Sequence, residues 1–304
     1  MAVPGCGSGT ATSGVILALI TEAVPQAVSM GVVTLTVHDA DRVAAFYERV
    51  IGLHRMPSGG GPVRLGAGGQ VLLELQADKA ARQALPRDAG LFHTALLLPD
   101  RPTLAAWLRR VVAIDHPLRG VSDHAVSEAI YLADPEGNGV EIYADRPRSG
   151  WRWSGGEVHM PTNPLDVADF LAQDDGRPWQ GLVSAAIGHV HLRVGNIPEA
   201  ERFYAGVLGL GITSRYPGST SYAAGGYHHH LATNVWDSHG APARREPMTG
   251  LAAVELLMPA EAIQATATRA ADAVGQEDGR LVLRDPWNIL LVLTPHHGRL
   301  GVLP

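Results

Sequence analysis

Short stretches of this chain alternate apolar and polar residues, which is typical of half-buried β-strands. One of them, "GVVTLTV", precedes "DRVAAFYERVIGL", where apolar residues recur at helical spacing before a glycine. Shorter strand-like stretches follow, ending in "GGQVLLELQ". The order of these elements predicts a βαβββ unit.

The same pattern returns later in the chain at a constant offset. Residues 31–53 and 188–210 share the alternating strand, a Phe-Tyr pair inside the helix and a Gly-Leu helix exit. The later copy ends in "GGYHHHLAT" where the earlier one has "GGQVLLELQ". Self-similarity of this kind indicates one structural unit used more than once.

A second kind of unit follows each copy, and it opens with "GLFHTALLLPD" or "GLAAVELLMPA". Each continues through a helix and closes on an Asp-Pro turn between two strands. The chain therefore has four modules, which we number one to four and which open at Gly31, Gly90, Gly188 and Gly250. The predicted boundaries are a leader at 1–30, modules one and two at 31–147, a connector at 148–186, and modules three and four at 187–304.

Composition narrows the possible functions. The 304 residues carry a net charge of -6 without a long basic run, which argues against nucleic acid or an anionic membrane as partner. The only cysteine is Cys6, so a disulfide framework and a thiolate metal site are both excluded. Any metal must be held by histidine and carboxylate.

The leader contains "VILALITEAV", which resembles the core of a signal peptide. No Lys or Arg precedes it, Thr and Glu interrupt it, and no later segment approaches the roughly 20 apolar residues of a membrane span. We expect residues 1–30 to be disordered or loosely docked and the protein to be cytoplasmic, with Met30 as a possible working start.

Four modules with these sequences resemble the vicinal-oxygen-chelate superfamily of glyoxalases, bleomycin-resistance proteins and extradiol dioxygenases. Within it, "GHVHLRV", "GGYHHHLATNVW" and "DHAVSEAIYLADPEGNGVEIYADRPR" are similar to the two-domain catechol 2,3-dioxygenases. The resemblance runs from Gly31 to near the C-terminus. It implies an α+β fold of four βαβββ modules in two domains, with mixed curved sheets and helices outside.

In such modules the first and last strands line a concave sheet, and alternation selects the side chains that face a central metal. On the first strands the equivalent positions are Val32, His93, His189 and Ala253. On the last strands, aligning the glycine-led stretches selects Leu72, Glu141, His229 and about Leu291. The polar residues therefore fall in modules two and three, and modules one and four are expected to be apolar there.

This distribution predicts how the modules pair. If neighbours in the chain packed together, the polar residues would be divided between two incomplete sites. If module two faces module three, they converge on one metal site, and modules one and four form an apolar, structural pair. We expect the second arrangement.

Two imidazoles and one carboxylate form the facial triad of non-haem Fe(II) oxygenases, which leaves positions open for a chelating substrate and O₂. The assigned ligands are His93, His189 and Glu141, although His191 faces the same side as His189 and is an alternative ligand. Mn(II) is a possible substitute for Fe(II). The resemblance implies an enzyme that uses O₂ to open the ring of a catechol beside the diol.

Three residues are assigned to catalysis. His229 is expected to serve as an acid-base group, since histidine titrates in the useful range. Strict strand alternation would turn His228 and His230 to the opposite face. The resemblance implies that Tyr131 hydrogen-bonds the substrate oxygen and that His124 contacts the diol.

The substrate pocket is expected to include His191, Tyr227, Trp236 and Phe92. By resemblance, the enzyme is expected to form homo-oligomers. The alternative functions are a glyoxalase-like isomerase or lyase, which would show a second glutamate at the position given to His229, and a non-catalytic small-molecule-binding protein of the same fold.

Overall fold

A computed structural model of the chain describes residues 28–172, 176, 179–270, 275–277 and 279–296. Sixteen strands in these ranges form two eight-stranded sheets, and two more form a small hairpin in the connector. No helix within these ranges is both long and apolar enough to cross a membrane.

The first sheet, here called the outer sheet, contains the strands of modules one and four. These are β1 (Ser29–Val37), β2 (His54–Met56), β3 (Val63–Ala67), β4 (Gln70–Ala77), β15 (Gly250–Met258), β16 (Gly275–Glu277), β17 (Arg280–Arg284) and β18 (Leu290–Pro295). Their order is β16-β17-β18-β15-β1-β4-β3-β2, so the two modules meet at an antiparallel β1-β15 pair.

The second sheet, here called the inner sheet, contains the strands of modules two and three. These are β5 (Gly90–Leu97), β6 (Gly120–Asp123), β7 (Ser127–Ala133), β8 (Gly139–Asp145), β11 (Ala186–Arg193), β12 (Gly211–Tyr216), β13 (Ser219–Ala223) and β14 (Leu231–Asn234). Their order is β12-β13-β14-β11-β5-β8-β7-β6, with an antiparallel β5-β11 pair at the centre. Each sheet thus joins one module from each half of the sequence.

The helices are short, and most begin at a side-chain cap. They are α1 (Ala40–Phe46), α2 (Arg101–Ala113), α3 (Val167–Leu171), α4 (Ile197–Glu201) and α5 (Ala260–Arg269). Side chains of Asp39, Asp100 and Asn196 accept backbone N–H groups at the first turns of α1, α2 and α4. The chain continues after α1 and α4 as wider π-helical turns at Tyr47–Ile51 and Arg202–Val207.

Alternate strand residues and the helices form one apolar core. Trp107 of α2 is fully buried in it and donates its indole N–H to the carbonyl of Val50, at 3.1 Å, which ties module two to module one. Residues pointing the other way, such as Ala95, Ala129 and Tyr143, form a separate cluster on the concave face of the inner sheet.

Bulges in the two central strands of the inner sheet adjust which side chains reach this face. Phe92 lies between two ladder pairs of β5, and Gly188 lies between two ladder pairs of β11. A bulge inserts one unpaired residue and re-aims its neighbours. Glycine is required at position 188, because an added Cβ would lie 1.7 Å from the hydroxyl of Tyr143.

The fold begins earlier than the sequence predicted. Residues 1–27 of the predicted leader lie outside the described residues, but Val28 and Met30 are buried and Ser29 pairs with Leu257. The expectation of disorder or loose docking is therefore wrong for residues 28–30, because Ser29 and Met30 belong to β1 and Val28 before them is buried. In the connector, Trp151 is buried against Tyr227, and the hairpin is β9 (Trp153–Ser154) and β10 (Glu157–Val158).

Candidate active site

Three predicted ligands meet on the concave face of the inner sheet. His93 on β5, His189 on β11 and Glu141 on β8 are all buried, and their Nε2, Nε2 and Oε2 atoms converge. The distances are 2.9 Å from His93 to Glu141, 3.2 Å from His189 to Glu141, and 3.3 Å between the two histidines.

This triangle fits a metal ion. Ligand atoms about 2.1 Å from a metal and at right angles to one another lie about 3 Å apart. The three observed separations are close to that value, so one ion could touch all three atoms from one side. Two imidazoles and one carboxylate on one face are the donor set typical of non-haem Fe(II) sites, and they leave the opposite face open to the cavity.

The charge states suit metal binding. Burial lowers the pKa of His189 to about 4 against the opposing pull of Glu141, so its imidazole is neutral at pH 7. Burial alone would raise the pKa of the Glu141 carboxyl, but His189 and His93 hold it well below its usual value. A neutral imidazole beside an ionised carboxylate is the form that binds a cation.

Tyr131 and His124 form a hydrogen-bonded pair at the edge of this triangle. The Tyr131 hydroxyl lies 2.8 Å from His124 Nε2, and His124 Nδ1 lies 2.7 Å from the carbonyl of Pro161. Because a carbonyl only accepts, Nδ1 carries the proton, and in neutral His124 the Nε2 atom accepts the tyrosine O–H. Burial and the Glu141 charge raise the pKa of Tyr131 well above its usual value, so it remains a phenol.

The last strand of module three carries Ala232 at the register of Glu141. In module two, Ala95 pairs with Glu141, and the matching residue of module three, His191, pairs with Ala232. The prediction that His229 occupies this strand position is therefore wrong. The strand begins only after the histidine run, because the loop before it is longer than the glycine alignment assumed.

His229 nevertheless reaches the cavity from that loop. Its ring lies against the ring of His189, with centroids 3.9 Å apart, and it lines the cavity with 8% of its surface exposed. Burial lowers the pKa of His229 well below its usual value, so it is held neutral.

The predicted orientation of His228 is also wrong. Outside a strand, alternation does not apply, and His228 Nδ1 lies 2.7 Å from His229 Nδ1. On its other side, His228 Nε2 lies 2.9 Å from a carboxylate oxygen of Asp145. His230 is also buried but takes no part in these contacts, and its Nδ1 accepts the backbone N–H of Ala224.

Three of the four predicted pocket residues line the cavity: His191, Trp236 and Phe92. His191 Nε2 accepts from the side-chain amide of Asn234 at 2.9 Å, whose oxygen in turn accepts the backbone N–H of Trp236. This hydrogen bond occupies the nitrogen that a metal would need, which favours His189 as ligand.

Tyr227 is not part of the cavity lining. It packs behind His228 with ring centroids 4.1 Å apart, and its hydroxyl lies 2.7 Å from that of Tyr143. The prediction of a substrate-binding role for Tyr227 is therefore wrong, because the loop turns its ring into a small apolar cluster with Trp151.

The cavity has a volume of about 310 Å³, and its wall contains residues beyond those that the sequence predicted. Sequence reasoning missed a set of small hydroxyl side chains in its wall: Ser122, Ser127, Thr162, Ser214, Ser219 and Ser221. It also missed Met160 and Tyr216 at the margin. Within the described chain, no Lys or Arg is among the lining residues.

The outer sheet departs from the prediction of an apolar pair. Thr34 of module one matches Ala95 of module two. It pairs with Glu74 and not with Leu72, because the tight glycine turn before β4 shifts the register by two residues. Glu74 is half-buried and forms a 2.8 Å ion pair with Arg64. In module four Leu291 is buried in the core, and its neighbour Val292 faces the concave side.

Comparison with known proteins agrees with this architecture. Residues 29–142 and 186–288 match the model of the Glyoxalase/Bleomycin resistance protein/Dioxygenase superfamily. A catechol-2,3-dioxygenase of Bacillus subtilis is 38% identical over 237 residues, which cover 76% of this chain and 82% of that protein. The chain belongs to this superfamily, as its sequence predicted.

Solved structures show the same fold at low identity. A protein of Bacillus subtilis described as a candidate dioxygenase has a TM-score of 0.61 at 15% identity, covering 88% of this chain and 84% of its own. Glyoxalase I of Zea mays has a TM-score of 0.54 at 15% identity, covering 88% and 92%. These likenesses concern the fold alone.

Proposed function

We propose that this protein is an Fe(II)-dependent extradiol dioxygenase that cleaves the ring of a catechol with O₂. The observation that carries the proposal is the buried triangle of His93, His189 and Glu141, whose spacing fits three ligands on one face of a metal. The 38% identity to a catechol-2,3-dioxygenase supports the choice of reaction.

The bound iron would supply a centre at which a catechol and O₂ can be brought together. His93, His189 and Glu141 would hold it. Iron is preferred to manganese because the facial triad is typical of Fe(II) oxygenases.

The residues around the triangle have separate tasks. His229 lies over His189 and is placed to exchange a proton with the diol. Tyr131, kept protonated, can hydrogen-bond a substrate oxygen, and His124 fixes the direction of its hydroxyl. Phe92 and Trp236, 5.4 Å apart between centroids, form an aromatic wall of the cavity against which the substrate ring can pack.

The lining also limits the substrate. Because none of the described lining residues is cationic, nothing there would compensate a carboxylate on the catechol. An uncharged catechol is therefore the expected substrate.

The test is anaerobic reconstitution with Fe(II), addition of catechol, and then admission of air while the absorption spectrum is followed. We expect a yellow ring-opened product and consumption of one O₂ per catechol. Bound metal without product from any of a panel of catechols would refute the proposal.

A glyoxalase-like reaction is disfavoured by the same geometry. That alternative expects a second glutamate at the fourth inward position, and Ala232 lies there. A purely binding protein would not require the buried triad. Self-association and a cytoplasmic location remain predictions, and analytical ultracentrifugation tests the first of them.

A further inference from the structure

A continuous chain of polar groups runs from the far end of β8 to the cavity. The Asp145 carboxylate contacts His228 Nε2 at 2.9 Å, and His228 Nδ1 contacts His229 Nδ1 at 2.7 Å. Of the three residues, only His229 lines the cavity. Nothing in the reaction as proposed so far requires Asp145 or His228.

The order of donors along this chain follows from chemistry. An ionised carboxylate only accepts, so His228 Nε2 carries a proton and donates it to Asp145. When His228 carries its one proton on Nε2, its Nδ1 has a lone pair, and His229 Nδ1 is then the donor in the 2.7 Å contact. The remaining nitrogen of His229, Nε2, is left without a proton on the side of the ring that faces the cavity.

Packing holds the middle of the chain in place. His228 is fully buried, with its ring centroid 4.1 Å from that of Tyr227 and 5.2 Å from that of Trp151, which it meets edge-on. The Tyr227 hydroxyl also approaches the same Asp145 oxygen, at 3.4 Å. The His228 ring therefore cannot turn without leaving a buried nitrogen unpaired, which is costly.

We propose that Asp145 and His228 are positioning residues that hold His229 as its Nδ1–H tautomer, with the Nε2 lone pair directed at the substrate. The proposal rests on the proposed function for its consequence, since a base in the wrong tautomer cannot take the proton of a catechol hydroxyl. The arrangement has the logic of a buried carboxylate orienting a catalytic histidine, extended by one more imidazole.

The first test reads the tautomer directly and needs no turnover. Two-bond ¹⁵N–¹H correlation spectra of histidine-labelled, metal-free protein distinguish protonated from unprotonated ring nitrogens, and a His229→Asn sample assigns the signals. We expect His229 to be protonated at Nδ1 and bare at Nε2. Observation of the Nε2–H form would overturn the proposal.

Substitutions at His228 then separate hydrogen bonding from packing. In His228→Asn the amide oxygen can replace Nδ1 as acceptor, so the His229 tautomer should persist. In His228→Leu it should be lost or mixed, and kcat for catechol should fall at least tenfold while KM changes less than twofold. An unchanged tautomer and kcat in His228→Leu would contradict the proposal.

Two further variants guard against misreading. His230→Asn is the matched control, because its amide oxygen can still accept the Ala224 N–H, and it should leave the His229 signals and kcat unchanged.

If His228→Leu fails to fold, Asp145→Asn serves instead and should reduce kcat with little change in KM. Unaltered kcat in Asp145→Asn would overturn the proposal. Absence of catechol cleavage in the wild type would refute the proposed function and leave the tautomer result standing.

Discussion

The inner and outer sheets are built from the same module, and of three matched positions they differ at two. The inner sheet has His93, His189 and Glu141, and the outer sheet has Val32, Ala253 and Glu74. Both sheets therefore present a carboxylate at the same register of a last strand.

The burial and the contacts of that carboxylate differ between the two sheets. Without histidines nearby, Glu74 takes an ion pair with Arg64 and stays half-buried. Glu141 lies between two imidazoles with only 4% of its side chain exposed. The fold supplies the register of the glutamate in both sheets, and the two central imidazoles of the inner sheet make Glu141 a candidate metal ligand.

The largest expected effect comes from neutralising these two carboxylates in turn. Glu141→Gln removes an anionic ligand and should reduce bound iron to below a tenth of the protein and abolish turnover. Glu74→Gln should retain both. Metal analysis and oxygen uptake measure the outcomes, and equal loss of iron in both variants would break the comparison.

The next effect concerns His229, which has no counterpart in the outer sheet. His229→Asn should keep the iron and lower kcat by about 10²–10⁴, the usual contribution of a general acid or base. Stopped-flow rates with measured iron content check this. A metal-free His229→Asn protein would show instead that His229 is a ligand.

A third effect lies in module four, where Asp285 forms a buried Asp-Pro turn. Burial raises the pKa of Asp285 from 3.8 to about 6, so the folded protein binds this proton more tightly than the unfolded chain. Stability from this group is present below about pH 4 and is lost as pH rises to about 6, by up to about 3 kcal/mol.

Asp285→Asn should remove this pH dependence. The amide oxygen can still accept the backbone N–H groups of Trp287 and Ile289. Urea unfolding of both proteins at several pH values between 4 and 7 gives the difference, and a wild type that gains stability relative to the variant over this range would contradict the assignment.

The smallest effect separates the two Phe-Tyr pairs of the repeat. The Tyr204 hydroxyl donates to Asp285 at 2.8 Å, whereas the equivalent Tyr47 hydroxyl is buried with no hydrogen-bond partner among the described residues. Tyr204→Phe should cost about 1–2 kcal/mol and Tyr47→Phe less than about 0.5 kcal/mol. Chemical unfolding measures both, and equal costs would show that the repeat positions are equivalent after all.

The sequence was sufficient for the modules and the fold, because strand alternation and the repeated helix exit are local signals. The convergence of His93, His189 and Glu141 could also be predicted, since their strands keep the expected register. The position of Asp145 could be predicted as well, because it lies four residues after Glu141 and therefore on the same face of β8.

The errors arose where loop length sets the register. Glycine runs aligned His229 with Glu141, but the loop in module three is longer and Ala232 takes that place. Strand alternation, applied to a segment that is a loop, then gave the wrong orientation for His228. It also could not show that Tyr227 turns away from the cavity. Such orientations depend on contacts between distant segments, here with Asp145 and Trp151.

The most direct test is a crystal structure of the iron-loaded protein, with anomalous diffraction collected at the iron absorption edge. The account predicts one strong peak in the inner sheet, within about 2.3 Å of His93 Nε2, His189 Nε2 and a Glu141 oxygen. A peak beside Glu74 in the outer sheet, or ligation through His191 in place of His189, would contradict it.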